Sequence, residues 1–401
     1  MELHNFLKNL EDKTPLMVER IIQWANVNSH TLNTTGLDRM AALLSQAFSE
    51  LDCVGEVLSL PPTEFIDELG EVKPQDFGPI LRFWKRNDAP VQVLLVGHMD
   101  TVHRLDSPFQ EAKQISDTVL VGPGVTDMKG GLCILLEALK LFEKSENAKN
   151  LGWELIINPD EEIGSIASGP FIEERAKYHQ LGLVFEPAMD EKGTLASERK
   201  GSGKFSILVQ GRAAHSGRDF HLGRNAITLL AKMIVEIDAL NANDKGITFN
   251  VGYIEGGGSV NVVPAFAQCQ LDIRTVAANQ EAWILEKLNG IIADANQNEG
   301  FKVKLQGKFT RKPKVMSEKN QALYDFVARL GKELGQTITW KPSGGCSDGN
   351  NLSAVGLPNI DSLGVCGGKI HSEEEFCRID SLVPRAKLVT AILLRLSEGE
   401  I

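Results

Sequence analysis

A chain of 401 residues exceeds the size at which one hydrophobic core usually keeps growing, so two or more domains are expected. With 42% hydrophobic and 24% charged residues it carries enough apolar surface to fold, which excludes disorder as its general state. Its 53 acidic against 42 basic residues give a formal charge of -11, an argument against a broad basic face for nucleic acid or anionic lipid and in favour of a small ligand.

In chain order, residues 15–51 read as two helices separated by the polar turn NVNSHTLNTTG; in the second, LDRMAALLSQAFSEL, apolar residues recur three and four apart. The stretch from Pro61 to Pro79 is expected to interrupt regular structure. VQVLLVGHMDTV then predicts an apolar strand ending in polar residues, the position where chemistry sits in open parallel sheets. After the loop VGPGVTDMKGG, LCILLEALKLFEK predicts a buried helix, and WELIINPDEEIGS and LGLVFEP predict two further strands that end in carboxylates. Strands alternating with helices in this way describe an α/β sandwich.

The rhythm changes near residue 200. GKFSILVQGRAAHSG, ITFNVGYIEGG and AFAQCQLDIRT read as strands, and NAITLLAKMIVEIDAL and EAWILEKLNGIIADAN as helices, which together form a compact α+β insert running to about residue 311. After Pro313 the α/β pattern returns with the helix NQALYDFVARLGKEL, the loop PSGGCSDGNNLSAVG, the short strand PNIDSLGV and a last helix from about Leu382 to Leu396. The expected organisation is one domain made of residues 1–199 and 312–401, with residues 200–311 inserted. The six cysteines form no CxxC pair, the N-terminus MELHNFLKNLEDK lacks the pattern of an export signal, and no run of about 20 apolar residues occurs. The expectation is a cytoplasmic protein with free thiols.

Candidate chemistry gathers at the strand ends. His98 and Asp100 lie two apart in VGHMDTV, so both side chains leave one face, and a metal-bound histidine needs its far ring nitrogen held by a group such as a carboxylate. Asp127 follows in GVTDMKGG, Glu161 and Glu162 in PDEEIGS, Glu186 in FEP, and His371 near the C-terminus. Taken singly, a histidine in an apolar strand is ordinarily hydrogen-bonded structure, and acids before a helix are ordinary capping chemistry. Adjacent carboxylates in one dry cavity repel, so their economical use is a division of labour in which one neutralises a cation and the other takes a proton. His98, Asp127, Glu161, Glu162, Glu186 and His371 could together form a two-metal site with the first glutamate as base, and zinc, cobalt or manganese would each accept such nitrogen and oxygen ligands. No glycine run reads as a dinucleotide or phosphate loop.

The ordered motifs VGHMDTV, GPGVTDMKGG, PDEEIGS, FEP, GRAAHSG, NVVP, SGGCSDGN and GGKIHSEEE resemble those of the M20 metallopeptidases, the aminoacylase and carboxypeptidase family of dinuclear zinc exopeptidases. Within it the chain is most similar to glutamate carboxypeptidases of the carboxypeptidase G2 type. The resemblance is clear over about residues 90–390. It implies a three-layer α/β/α catalytic domain with an inserted α+β lid that also dimerises, and two zinc ions, one held by His98 and Glu186, the other by Glu162 and His371, with Asp127 between them. It further implies Glu161 as general base, Asp100 as holder of His98, and a cis Asp127–Met128 peptide. His215 would reach the partner subunit's site to stabilise the oxyanion, Asn261 would lie near the substrate, Arg274 would receive its carboxylate, and Ser343, Gly344 and Gly345 would line the pocket.

Two positions depart from the family pattern. Cys346 stands where relatives often have Thr, and Lys312 stands where close glutamate carboxypeptidases tend to have Arg. A lysine is a point charge rather than a bidentate fork, so Lys312 fits carboxylate recognition in general better than glutamate in particular. The implied activity is hydrolysis of the amide bond of a C-terminal amino acid in a small anionic substrate. Alternatives are a deacylase of the acetylornithine or succinyl-diaminopimelate type, which shares all the metal motifs, and a binding protein that kept the fold without catalysis.

Overall fold

In the computed structural model, which describes residues 3–66 and 72–400, the Val91–His98 strand is apolar on both faces because both are covered. Val93 and Leu95 enter one core, whereas Leu94 and Val96 enter another. The neighbouring Leu151–Asn158 strand divides likewise, with Trp153, Leu155 and Ile157 on the first side and Ile156 on the second. The sheet runs in the order Val54–Leu58, Ile80–Lys85, Leu151–Asn158, Val91–His98, Leu181–Val184, Asn359–Ile360. Its last four strands pair in parallel, and the first two are antiparallel additions at one edge.

The larger core is supplied chiefly by the helices Thr14–Ala25, Thr34–Ser49, Lys129–Phe142, Glu318–Glu333 and Ile379–Ser397, each through its apolar side. Ile172 and Ala176 of the Gly169–Ala176 helix and Leu352 of the Asp348–Ala354 helix cover the other face. The result is a three-layer α/β/α arrangement, in which consecutive parallel strands deliver His98, Asn158 and, two residues past Val184, Glu186 to one edge. This unit comprises Met1–Thr63, Gln75–Arg199 and Val315–Ile401.

The second unit contains Glu64–Pro74 and Lys200–Lys314. Its four antiparallel strands run in the order Thr248–Gly256, Phe266–Thr275, Gly201–Gln210, Lys302–Arg311. The helices Ala226–Ala239 and Gln280–Asn296 pack on that sheet through a core of their own that includes Ile207, Leu230, Ile237, Leu271 and Leu288. Lys312 belongs with this unit, because the Lys302–Arg311 strand pairs to its last residue and Pro313 lies against Gly201, where a Cβ would meet the proline ring at 2.9 Å.

Several local expectations change. The stretch between Pro61 and Pro79 holds a two-stranded ribbon, Thr63–Ile66 with Val72–Gln75; residues 67–71 lie outside the described part. The segment read as the loop PSGGCSDGNNLSAVG contains the Asp348–Ala354 helix. Its turn-forming residues serve as a cap: Ser347 Oγ accepts from Gly349 N, and the Asn350 side chain returns to Ser347 N. Short helices at Leu3–Leu7 and Lys8–Lys13 precede the first helix read from the sequence. All six cysteines are free, and among the described residues no helix is long and apolar enough to cross a membrane.

Candidate metal and catalytic site

His98 closes the Val91–His98 strand, 1% exposed. Its Nδ1 faces Asp100, 3.0 Å from the backbone oxygen and 3.2 Å from Oδ1, which leaves Nε2 as the free ligand atom. Nε2 lies 3.1 Å from Asp127 Oδ1 and 3.8 Å from Glu186 Oε1. On the opposite side of Asp127, His371 Nε2 lies 3.4 Å from Oδ2 and 3.1 Å from Glu162 Oε2. Each histidine therefore faces one oxygen of the same aspartate and one further glutamate. Ligand atoms of His98, Glu161 and Glu186 lie within 4.8 Å of one another, as do those of His98, Asp127 and Glu162.

Local structure explains the convergence. After Asn158 the chain makes a short 3-10 turn at Glu161–Ile163, ended by Gly164 at φ 108°, so the two glutamates leave a tight bend rather than a strand. Asp100 fixes that bend: Oδ1 accepts from Glu161 N and Oδ2 from Glu162 N, both at 3.2 Å. Asp127 precedes the Lys129–Phe142 helix across a cis peptide to Met128. His371 itself adopts a left-handed conformation with φ 63°, and its side chain is half exposed.

The electrostatics fit a cation. Burial, with the Glu161 and Asp127 charges, pushes Glu186 well above the usual carboxylate range, and burial with Asp127 pushes Glu162 up to about 8. Hydrogen bonds to Asp127 and Glu162 push His371 up to about 11. At His98 burial opposes protonation, but the bonds to Asp100 and Asp127 outweigh it and raise the ring well above its ordinary value. Glu162 Oε1 is buried with no hydrogen-bond partner among the described residues. A buried orphan oxygen is costly, and four crowded carboxylates repel unless positive charge lies among them. The donors are nitrogen and oxygen only, so two candidate clusters suit divalent ions of the zinc, cobalt or manganese type.

The other residues expected from the sequence lie in two places. Ser343, Gly344 and Gly345 belong to the first unit and are partly or fully exposed, with Gly345 N bonded to Ser343 Oγ at 3.1 Å. His215, Asn261, Arg274 and Lys312 belong to the second unit. There the His215 loop is stitched to the Asn261 loop: Ser216 N donates to Asn261 O, and Val263 N to Ala214 O. His215 Nδ1 accepts from Gly217 N at 3.1 Å and Arg218 N at 3.2 Å, so the neutral ring carries its proton on Nε2. Arg274 pairs with Asp272 on the same strand at 2.7 Å, both about one-third exposed.

Sequence reasoning missed three supports. Thr31 Oγ1 donates to Asp100 Oδ2 at 2.7 Å, from the turn read only as polar. Buried Asp160 accepts from Ser168 Oγ and from the amides of Ala167 and Ser168, closing the loop behind the two glutamates. Arg199 is buried, forms two bonds with Asp361, and donates to Cys346 O, tying down the segment that follows Gly345. The DEE run was a signal that the neighbouring aspartate had work to do; nothing in the sequence pointed to Thr31 or Arg199.

The model of peptidase family M20/M25/M40 matches residues 94–395. The chain is 29% identical over 313 residues to carboxypeptidase G2 of Pseudomonas sp. (strain RS-16), covering 77% of this chain and 74% of that protein. It is 25% identical over 325 residues to the succinyl-diaminopimelate desuccinylase of Hahella chejuensis, covering 76% and 82%. Its fold is similar to that of an M20 family metallo-carboxypeptidase from Sulfolobus solfataricus, with a TM-score of 0.74 at 20% identity over 95% of this chain and 99% of the other. Clustered acidic and histidine side chains that could hold metal ions near the ends of parallel strands, and a family match over most of the length, agree: the chain is a metal-dependent hydrolase and belongs to peptidase family M20/M25/M40.

Proposed function

We propose that the protein is a dinuclear-zinc carboxypeptidase that removes a C-terminal amino acid from a peptide or N-acyl amino acid. The observation that carries the reading is the shared aspartate, with each oxygen of Asp127 facing a different histidine. In this reading His98 and Glu186 hold one ion, Glu162 and His371 the other, and Asp127 both. Bound there, two divalent ions would supply Lewis acidity to the amide carbonyl and lower the pKa of the attacking water.

The chain's own groups do the rest. Glu161 accepts the proton of the attacking water and returns it to the leaving nitrogen, which an amide requires because the amine anion is a poor leaving group. Asp100 keeps His98 in one orientation and holds the Glu161 backbone, so base and ligand share one anchor. His215 donates from Nε2 to the oxyanion, and the turn that occupies its Nδ1 fixes that tautomer. Arg274 receives the substrate carboxylate with Asn261 and Lys312 beside the substrate, and Ser343, Gly344 and Gly345 line the pocket. The second unit serves as lid and as the homodimer interface, across which His215 acts in the partner's site.

A deacylase reading is supported by the similarity to the desuccinylase. The purified protein, loaded with zinc, should be assayed on folyl-glutamate, dipeptides, and N-acetyl and N-succinyl amino acids. Turnover of peptide or folyl substrates above the N-acyl set is expected, abolished by chelation and restored by zinc. Preference for N-succinyl or N-acetyl substrates would move the assignment to a deacylase. Inactivity of a protein loaded with two metals would favour the binding protein.

A further inference from the structure

We propose that Glu375 is the positioning residue for Asp127, the side chain that sets the aspartate both histidines face. This rests on the metal-site reading above. Glu375 is 1% exposed, and its carboxylate accepts three amides of one loop rather than a surface cation. Oε2 takes Gly124 N at 3.0 Å, while Oε1 takes Thr126 N at 2.9 Å and Asp127 N at 3.0 Å. His103 Nε2 lies 2.8 Å from Oε2 and completes the set. The backbone of the same segment grips the loop again, since Gly122 N donates to Glu375 O at 3.1 Å and Thr126 Oγ1 to Phe376 O at 2.6 Å.

Glu375 follows His371 by one turn of chain, so the segment that supplies one histidine also moulds the backbone of the shared aspartate. The spacing between His371 and Asp127 is thereby set by a single rigid connection rather than by the cation. Hydrogen bonds to an ionised acceptor are about twice as strong as neutral ones, and three of them converge here on a loop that carries a glycine at φ 73° and would otherwise have many conformations. A glutamine at this position keeps the size but has one acceptor oxygen; its amide nitrogen would oppose either the Gly124 N–H and His103 or the two amides of Thr126 and Asp127.

The test is metal binding to E375Q. Metal-free wild-type and variant proteins are titrated with Co2+, whose visible absorption reports ligand geometry, and with Zn2+ against a chromophoric chelator. The expected result is two ions bound at 10- to 100-fold lower affinity, typical of lost support behind a ligand, with an altered cobalt spectrum. Wild-type affinity and an unchanged spectrum in folded E375Q protein would overturn the proposal. Failure of the wild-type chain to bind any divalent ion would instead remove the metal-site reading beneath it. Should the variant not fold, amide hydrogen exchange in the metal-free wild-type protein decides. Gly124, Thr126 and Asp127 should exchange slowly before any ion is added, and exchange at the rate of an open loop would overturn the anchoring.

Discussion

His98 and His215 are both histidines proposed to act on one reaction, yet their surroundings are opposites. His98 is 1% exposed at the end of a strand with core on both faces, and its neighbours are carboxylates whose charges conflict. His215 is exposed on a loop, and its ring accepts from backbone amides of its own turn, while its neighbours Ala214 and Ser216 carry the bonds to the Asn261 loop. A ligand must be held before its ion arrives, because orienting it afterwards would subtract from binding, so it is buried and braced. A group that meets substrate must be reachable, so the fold braces only its far nitrogen. Substitutions of the proposed ligands and their braces in the first region should therefore change metal content or stability, with the proposed base Glu161 the exception, and those in the second should act chiefly on kinetics.

The largest effect should separate two neighbours inside the buried region. Glu161→Gln is expected to keep two metals and lose 10²- to 10⁴-fold or more in kcat, whereas Glu162→Gln should lose metal, both read by elemental analysis beside single-turnover kinetics. Metal loss from E161Q with retention by E162Q would reverse the roles. Next, Arg199→Met removes the guanidinium from the buried Asp361 carboxylate and leaves it only hydroxyl donors such as Ser347 Oγ, and urea unfolding of the metal-free protein should report about 3–5 kcal/mol lost. A change below about 1 kcal/mol would show that the pair braces nothing. In the exposed region, His215→Ala should lower kcat by the equivalent of about 2.7–4 kcal/mol with metal content and stability unchanged. Mixing H215A with E161Q chains should restore partial activity if the histidine acts across a dimer, and demonstrated subunit exchange without recovery would place it in its own subunit. Smallest of all, Asp272→Ala should shift stability by less than about 1 kcal/mol, since its pair with Arg274 is partly exposed. The same variant should lower KM for carboxylate-bearing substrates by removing an anion that competes with them for the guanidinium; an unchanged KM would detach Arg274 from recognition.

Much of this contrast was legible in the sequence, and what was not has a common cause. The Val91–His98 strand and the Lys129–Phe142 helix announce themselves by long, mainly apolar runs, because nearly all of each is buried. His98, Asp127, Glu161, Glu162 and Glu186 stand at ends of such runs, so position alone drew attention to them. Thr31, Arg199 and Glu375 carry no local pattern; each matters through a partner 69, 162 or about 250 positions away, and only chain closure brings them together. The left-handed φ of His371 is likewise invisible, since an ordinary L-residue adopts it only where the surroundings enforce it. The Asp348–Ala354 helix was hidden because Ser, Asp, Gly and Asn favour turns and caps equally, and Ser347 turned out to be a cap.

The placement of Asn359–Ile360 as the last strand of the parallel sheet has a consequence during synthesis. The Leu181–Val184 strand leaves the ribosome with a partner on one side only, and its other edge must wait for a segment made after the whole of Lys200–Lys314. At ~5–20 residues per second that interval is on the order of ten to forty seconds. Throughout it a fully apolar strand presents unpaired backbone groups, the geometry that recruits strands from other chains. The nascent protein is thus most vulnerable to aggregation while its second unit is being made, and slower translation of that unit, or a missing holdase, should lower soluble yield before it touches activity.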